Sequence, residues 1–269
     1  MKPVLLITII SLSLVSTLPS ASADAQGIQF LLCFPGGPGT TDDAQPVVDR
    51  FLAKLSEGSS WGSASGRYHN DMDACRRARA ERPGPQVVMV PLDLYLASRA
   101  DWNLTPLATL ENQEASTQYH IVARAGATLD SIKGEVLATG LKAAANFFSR
   151  VALGGQVNVD TDFDLTRTRT PLRAVKNVSR GRAAAALLDD VQQRALEGLP
   201  MAAELVTVLS GPALPGAIVA AVGTAPEGLE AALRTVCTRH AEVCQEMRVR
   251  AFSPVDSARL TTLERQLTP

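Results

Sequence analysis

The loop Phe34-Pro35-Gly36-Gly37-Pro38-Gly39 follows directly on the apolar run Ile28 to Cys33. Three glycines and two prolines fit neither helix nor sheet, so the backbone here serves an oxyanion hole, a phosphate cradle or a plain turn. Further along, Gly58-Ser59-Ser60-Trp61-Gly62 matches the G-x-S-x-G pattern that presents a nucleophilic serine. His69, His120 and His240 are the only histidines available as a general base.

Context argues against acyl transfer. A nucleophile elbow needs a strand before it and a helix after it, yet Gly58 closes an amphipathic helical stretch and Gly62 precedes a strand-like one. The interval from the glycine-rich loop to Ser60 leaves no room for the intervening strands, although the loop resembles the Gly-Gly-Pro-Gly oxyanion loop of some α/β-hydrolase peptidases. None of the histidines has the neighbours a triad requires, and no His-Glu-x-x-His spacing exists. No catalytic residue, metal ligand or cofactor is expected. A serine hydrolase using Ser60 stays as the alternative from another class.

The start of the chain bears on compartment. Met1-Lys2, the apolar stretch Val4 to Val15 and the small residues Ala21-Ser22-Ala23 form a secretory leader, residues 1–23. No later segment reaches the run of about 20 apolar residues that a bilayer needs. A periplasmic or secreted location is expected. Net charge is −1 for the whole chain and becomes −2 once Lys2 leaves with the leader. That balance gives no sign of a nucleic-acid or membrane-surface partner.

Cys33, Cys75, Cys237 and Cys244 in an exported chain allow two disulfides in three connectivities. The preferred pairing is Cys33 with Cys75 and Cys237 with Cys244. Unbroken helix would hold Cys237 and Cys244 about 10 Å apart, beyond disulfide reach, so that pairing requires a break near Thr238 to Ala241. A zinc site at Cys237, His240 and Cys244 would need tighter spacing.

The elements that must position these residues alternate. Strands are expected near Ile28–Phe34, Ser63–Tyr68, Gln86–Val90, Thr105–Leu110, Tyr119–Arg124, Glu135–Thr139, Ala184–Leu188, Leu205–Leu209 and Ala217–Val222, which is the pattern of an α/β protein. Helices are expected at Asp43–Leu55, Asp71–Arg82, Lys142–Val151, Pro171–Ser179, Val191–Leu196 and Pro226–Arg239. Asp42 or Asp43 is the expected cap of the first, with Pro46 in its first turn. The breaks make sense as two lobes, each a mixed sheet flanked by helices. Residues 24–116 with 212–269 form a discontinuous first lobe and 117–211 the second, with a ligand cleft between them.

Several of these pieces together resemble the phosphate/phosphonate-type substrate-binding proteins of ABC importers, a branch of the type 2 periplasmic binding fold. The opening strand, loop and helix carry part of the resemblance, as does Val87 to Tyr95 with its Pro91. So do Tyr119 to Gly126, the segment Leu129-Asp130-Ser131-Ile132-Lys133-Gly134-Glu135, which is similar to the family's L-x-D-L-K-G-K, and Ser179 to Asp190. The resemblance implies a monomeric, non-enzymatic protein that closes on a small polar or anionic ligand by hinge motion. An ABC permease or a membrane sensor would read the closed form. A stand-alone sensor or degenerate binder is the runner-up. Where the family carries a Ser/Thr-rich anion loop, this chain has Ala138 to Ala145, with Thr139 as its one hydroxyl.

The ligand-binding residues expected on this basis are Phe34, Pro35, Gly36, Gly37, Thr40, Pro91, Tyr95, Tyr119, Thr139, Gly140, Lys142 and Asp189. Several keep a plainer reading beside the functional one. Tyr95 and Tyr119 are cleft aromatics or ordinary half-buried tyrosines. Lys142 is a point charge for an anion or a solvated first-turn lysine. Asp189 selects a ligand amine or hydroxyl, or caps the following helix in competition with Asp190. Asp42 and Asp43 already compensate a helix dipole beside the opening loop, which weakens the case for an anion there.

Overall fold

The computed structural model describes residues 27–37, 40–112, 117–201 and 203–268. The expected leader, Pro38 and Gly39 of the opening loop, and residues 113–116 near the expected first crossing lie outside the described residues. No helix among the described residues is long and apolar enough to cross a membrane.

The chain runs β1 (Ile28–Cys33), α1 (Thr41–Ser56), β2 (Ala64–His69), α2 (Met72–Ala80), β3 (Val87–Val90), α3 (Leu92–Ser98) and β4 (Leu104–Asn112). It then forms β5 (Tyr119–Arg124), β6 (Val136–Thr139), α4 (Ala145–Phe147), which continues as a π-helical turn Phe148–Ala152, β7 (Asp164–Arg167) and α5 (Pro171–Ser179). β8 (Ala185–Asp189), α6 (Asp190–Leu196) and β9 (Leu205–Ser210) follow. The return leg is β10 (Ile218–Val222), α7 (Leu229–Arg239), α8 (Ala241–Glu246), β11 (Val249–Ser253) and α9 (Ser257–Leu267).

Two mixed sheets result, as the two-lobed reading requires. The first has order β11-β4-β10-β3-β1-β2, with β2, β1 and β3 parallel and the rest antiparallel. The second has order β7-β6-β8-β5-β9, with β7, β6 and β8 parallel and β5 antiparallel to both neighbours. Parallel strands are covered on both faces, and β3 (VVMV) and the apolar part of β8 (AALL) are accordingly buried throughout. The chain crosses between sheets twice, and the crossings are zipped together by the bridge of Thr117 with Leu214 and by the Gly211 N–H on the Tyr119 carbonyl at 2.9 Å.

Both disulfides form as expected, with Cα–Cα distances of 5.7 Å for Cys33–Cys75 and 5.4 Å for Cys237–Cys244. The helical break that the second one needs falls at His240, which ends α7 and starts α8.

Three helix starts differ from expectation by two residues or more, and one of them is α7, expected from Pro226 and beginning at Leu229 behind Gly228. Thr40, not Asp42 or Asp43, caps α1. Its hydroxyl accepts the Asp43 N–H while the Asp43 carboxylate accepts the Thr40 N–H, and this reciprocal box starts the helix early enough to put Pro46 inside it rather than in its first turn. The helix expected from Lys142 begins only at Ala145. Arg167 takes the Leu141 and Ala143 carbonyls at 2.7 Å each, and Thr139 Oγ1 accepts the Leu141 N–H at 3.1 Å, so residues 140–144 are held as a loop.

The exposed edge of the first sheet is partly closed by one side chain. Gln45 of α1 donates to the Gly66 carbonyl at 2.8 Å and accepts the Tyr68 N–H at 3.1 Å, taking the place of a neighbouring strand. Gln45→Ala is expected to cost about 1–2 kcal/mol, because two edge groups lose their partner. Urea unfolding checks this, and an unchanged midpoint would contradict it.

Candidate ligand-binding site

The carboxyl ends of β1, β3, β6 and β8 converge where the two sheets meet, the position at which open α/β sheets hold ligands. The lobes are in contact there. One buried apolar cluster runs from Leu31, Val88 and Ile218 of the first sheet to Ile121, Leu137 and Leu187 of the second, through Phe147 and Phe148. α9 helps hold this arrangement. Glu264 pairs with Arg99, which caps the end of α3, while Arg150 of the π-helical turn reaches the Thr268 carbonyl at 3.0 Å.

The first lobe presents the opening loop. Phe34 stacks on Tyr68 with ring centroids 6.3 Å apart, and its N–H bonds the His69 carbonyl at 2.9 Å. Pro35 and Gly36 make the turn. Gly36 has φ +79° and donates its N–H to Asn70, while the Gly37 N–H returns to Phe34. Both glycine N–H groups are therefore engaged within the first lobe. The Thr40 hydroxyl is likewise held in the α1 cap. Pro91 precedes α3, and its carbonyl receives the Tyr95 N–H at 3.0 Å.

Tyr95 lies a full turn into α3 and is 0% exposed. Burial pushes its hydroxyl up to about 12, Arg99 opposing and Glu264 on the α9 side reinforcing the rise, and among the described residues the hydroxyl has no hydrogen-bond partner. Asp93, two residues earlier and so on a different helix face, is the group that sequence reasoning passed over. Burial pushes its carboxyl up to about 6, against partial relief from the Asp93 and Leu94 N–H groups. An acid in the first turn after a buried strand is a signal that could have singled it out.

In the second lobe Tyr119 sits edge-on to Phe147 at 5.8 Å and tilted against Phe148 at 6.2 Å. Burial first, and then the charges of Asp93, Asp189 and Asp190, hold its hydroxyl well above the usual tyrosine range. Acids from both lobes thus act on one ring. Asp189 caps α6 by accepting the Gln192 N–H at 2.7 Å, and burial still lifts it to about 6, with the Gln192 bond opposing and Asp190 reinforcing the rise. Asp190 instead receives the Gln118 N–H at 2.5 Å.

On the facing side the stem of Lys142 lies over the opening loop. A Cβ built on Gly36 would stand 2.9 Å from Lys142 Cγ. Among the described residues Lys142 has no carboxylate partner. Thr139 is 0% exposed and spends its hydroxyl on the Leu187 carbonyl and the Leu141 N–H. Gly140 allows close packing, since a Cβ there would lie 2.6 Å from Pro171 N. Arg167 was not foreseen. Its guanidinium lies 5.1 Å over the Phe148 ring, and burial draws it below the ordinary guanidinium value against the pull of Asp160.

His120 has more company than its sequence neighbours suggest. Nδ1 is 2.9 Å from Ser210 Oγ and Nε2 is 3.8 Å from Asp190 Oδ1, so it ties the first crossing to the second. The longer distance exceeds a hydrogen bond, and Asp190 is already held by Gln118. Ser60 stands exposed in a turn between α1 and β2, without the strand that an elbow needs before its serine.

Two mixed sheets joined by two crossings are the architecture of the type 2 periplasmic binding fold. A family model for the periplasmic substrate-binding protein of ABC phosphonate transporters matches residues 86–260, and the chain belongs to that family. No curated protein matches the sequence. Among solved structures, a Xanthomonas citri protein bound to chloride ion is similar with a TM-score of 0.69 at 15% identity, covering 89% of this chain and 97% of the other. The binding protein of an ABC phosphonate transporter from Pseudomonas aeruginosa gives 0.64 at 11% identity, over 90% and 85% of the two chains. PhnD1 from Prochlorococcus marinus, in complex with methylphosphonate, gives 0.62 at 13% identity, over 90% and 97%.

Proposed function

We propose that this protein captures a small zwitterionic solute, an aminoalkylphosphonate or a close analogue, between its lobes for delivery to an ABC importer. The observation that carries the amine half is the pair Asp93 and Asp189. They come from opposite lobes, both act on Tyr119, and burial lifts both to about 6. A buried carboxyl of that kind is stabilised by a cation brought to it. Family membership and the unpaired Lys142 support an anionic group at the other end. Phe34, Pro35 and Pro91 then serve as walls, while Gly36, Gly37, Thr40 and Thr139 shape the cleft without offering free donors.

Thermal unfolding in the presence of an aminoalkylphosphonate, methylphosphonate, inorganic phosphate and a simple alkylamine tests this reading. The aminoalkylphosphonate is expected to raise Tm most, in a saturable way. Asp189→Asn keeps the α6 cap, since Asn caps as well as Asp, yet is expected to weaken that ligand about tenfold or more while leaving methylphosphonate unaffected. Equal responses to methylphosphonate and its amino analogue, or none to either, would overturn the assignment.

A further inference from the structure

The near-neutral total charge hides a one-sided surface on the second lobe. Between Asp164 and Asp189 the chain carries Arg167, Arg169, Arg173, Lys176, Arg180 and Arg182 and not one acidic residue. Arg167 is committed to the Leu141 and Ala143 carbonyls. Among the described residues the other five side chains have no ion pair, and all but the half-buried Lys176 are exposed.

Helix geometry gathers the charges. At about 100° per residue, Leu172, Arg173, Lys176 and Arg180 fall within about 100° of arc around α5. Ala174, Val175 and Val178, each 0% exposed, occupy the opposite arc and pack on the sheet. Leu172 is 36% exposed and stands among the cations instead of joining the core. The outer face of α5 is thus cationic with an apolar tip.

We propose that this face docks the protein on an anionic phospholipid surface. The fit is one of charge and polarity together. Several cations without internal partners meet the headgroup charge, and one aliphatic side chain at the same level enters the boundary with the acyl region. A single-stranded nucleic acid would call for aromatic side chains between the cations, and this stretch has none. The surface is independent of the cleft, because none of its free cations belongs to the proposed ligand site.

Co-sedimentation of the mature chain with vesicles tests the proposal. Binding is expected to phosphatidylcholine vesicles containing about one-third phosphatidylglycerol, not to phosphatidylcholine alone, and to be lost in about 0.5 M salt. The triple variant Arg173→Glu/Lys176→Glu/Arg180→Glu is expected to weaken binding more than tenfold with an unchanged thermal unfolding curve, and Leu172→Ala by a few-fold. If the triple variant unfolds early, Arg173→Gln/Lys176→Gln supplies the same comparison at smaller effect. Binding that ignores phosphatidylglycerol or survives the charge changes would overturn the proposal. Retention on polyglutamate with no binding to anionic vesicles would also overturn it and assign an acidic protein instead.

Discussion

Replacing both Cys33 and Cys75 with alanine is expected to lower the free energy of unfolding by about 4 kcal/mol. The bond closes a loop with a sequence separation of 42, so its loss frees a large unfolded ensemble. The same change at Cys237 and Cys244, separated by only 7, is expected to cost about 2.5 kcal/mol. Denaturant unfolding without reductant measures both. Equal costs, or a larger one at the shorter loop, would contradict the loop argument. There is also a functional side, because the bond anchors the end of β1 to α2 directly before the Phe34–Gly37 turn, and the Cys33/Cys75 variant should bind solute more weakly as well.

Asp93→Asn is expected to stabilise the protein at pH 8 by about 1–2 kcal/mol and to change little at pH 4. Its carboxyl rises from 3.8 to about 6 through burial. Each unit is worth about 1.4 kcal/mol, giving a ceiling of about 3 kcal/mol that partial water access at this half-buried group reduces. Between about pH 4 and 6 the folded form holds more protons than the unfolded form, so stability falls as pH rises through that window, and above it the penalty is complete. Below it both forms are protonated and the penalty vanishes. Urea midpoints at the two pH values check this, and a variant that is destabilised at pH 8 would contradict it. An amine ligand should show the reverse trend, binding more tightly as pH rises past about 6 and the two carboxyls ionise.

The fold was legible where burial is complete. Apolar runs such as Val87 to Val90 and the Ala-rich run ending at Asp189 announce parallel strands covered on both faces. β7 and β11 escaped because their residue patterns are weak. Asp-Leu-Thr-Arg has only one half-buried position, and β11 alternates too weakly to stand out. α9 was readable and passed over, since Asp256 as a cap followed by Leu260, Leu263 and Leu267 is a helical stripe. Reading Val87 to Tyr95 as a strand and loop hid α3, and with it the geometry that turns Tyr95 toward α9 while Asp93 acts on the seam. Side-chain partners were out of reach of sequence. Nothing in the order of residues says that Thr139 spends its hydroxyl on Leu187, or that the Gly36 and Gly37 N–H groups are taken within their own lobe. The cationic face of α5 disappeared for another reason, because a total charge averages over surfaces that a partner meets one at a time.

The proposed site holds an amine against Asp93 and Asp189 and an anion against Lys142. Isothermal titration of an aminoalkylphosphonate into residues 24–269 at pH 7.5 addresses it most directly. Saturable one-to-one binding is expected, which Lys142→Ala and Asp189→Asn each weaken by about tenfold or more. Absence of binding, or binding unaffected by either substitution, would contradict it.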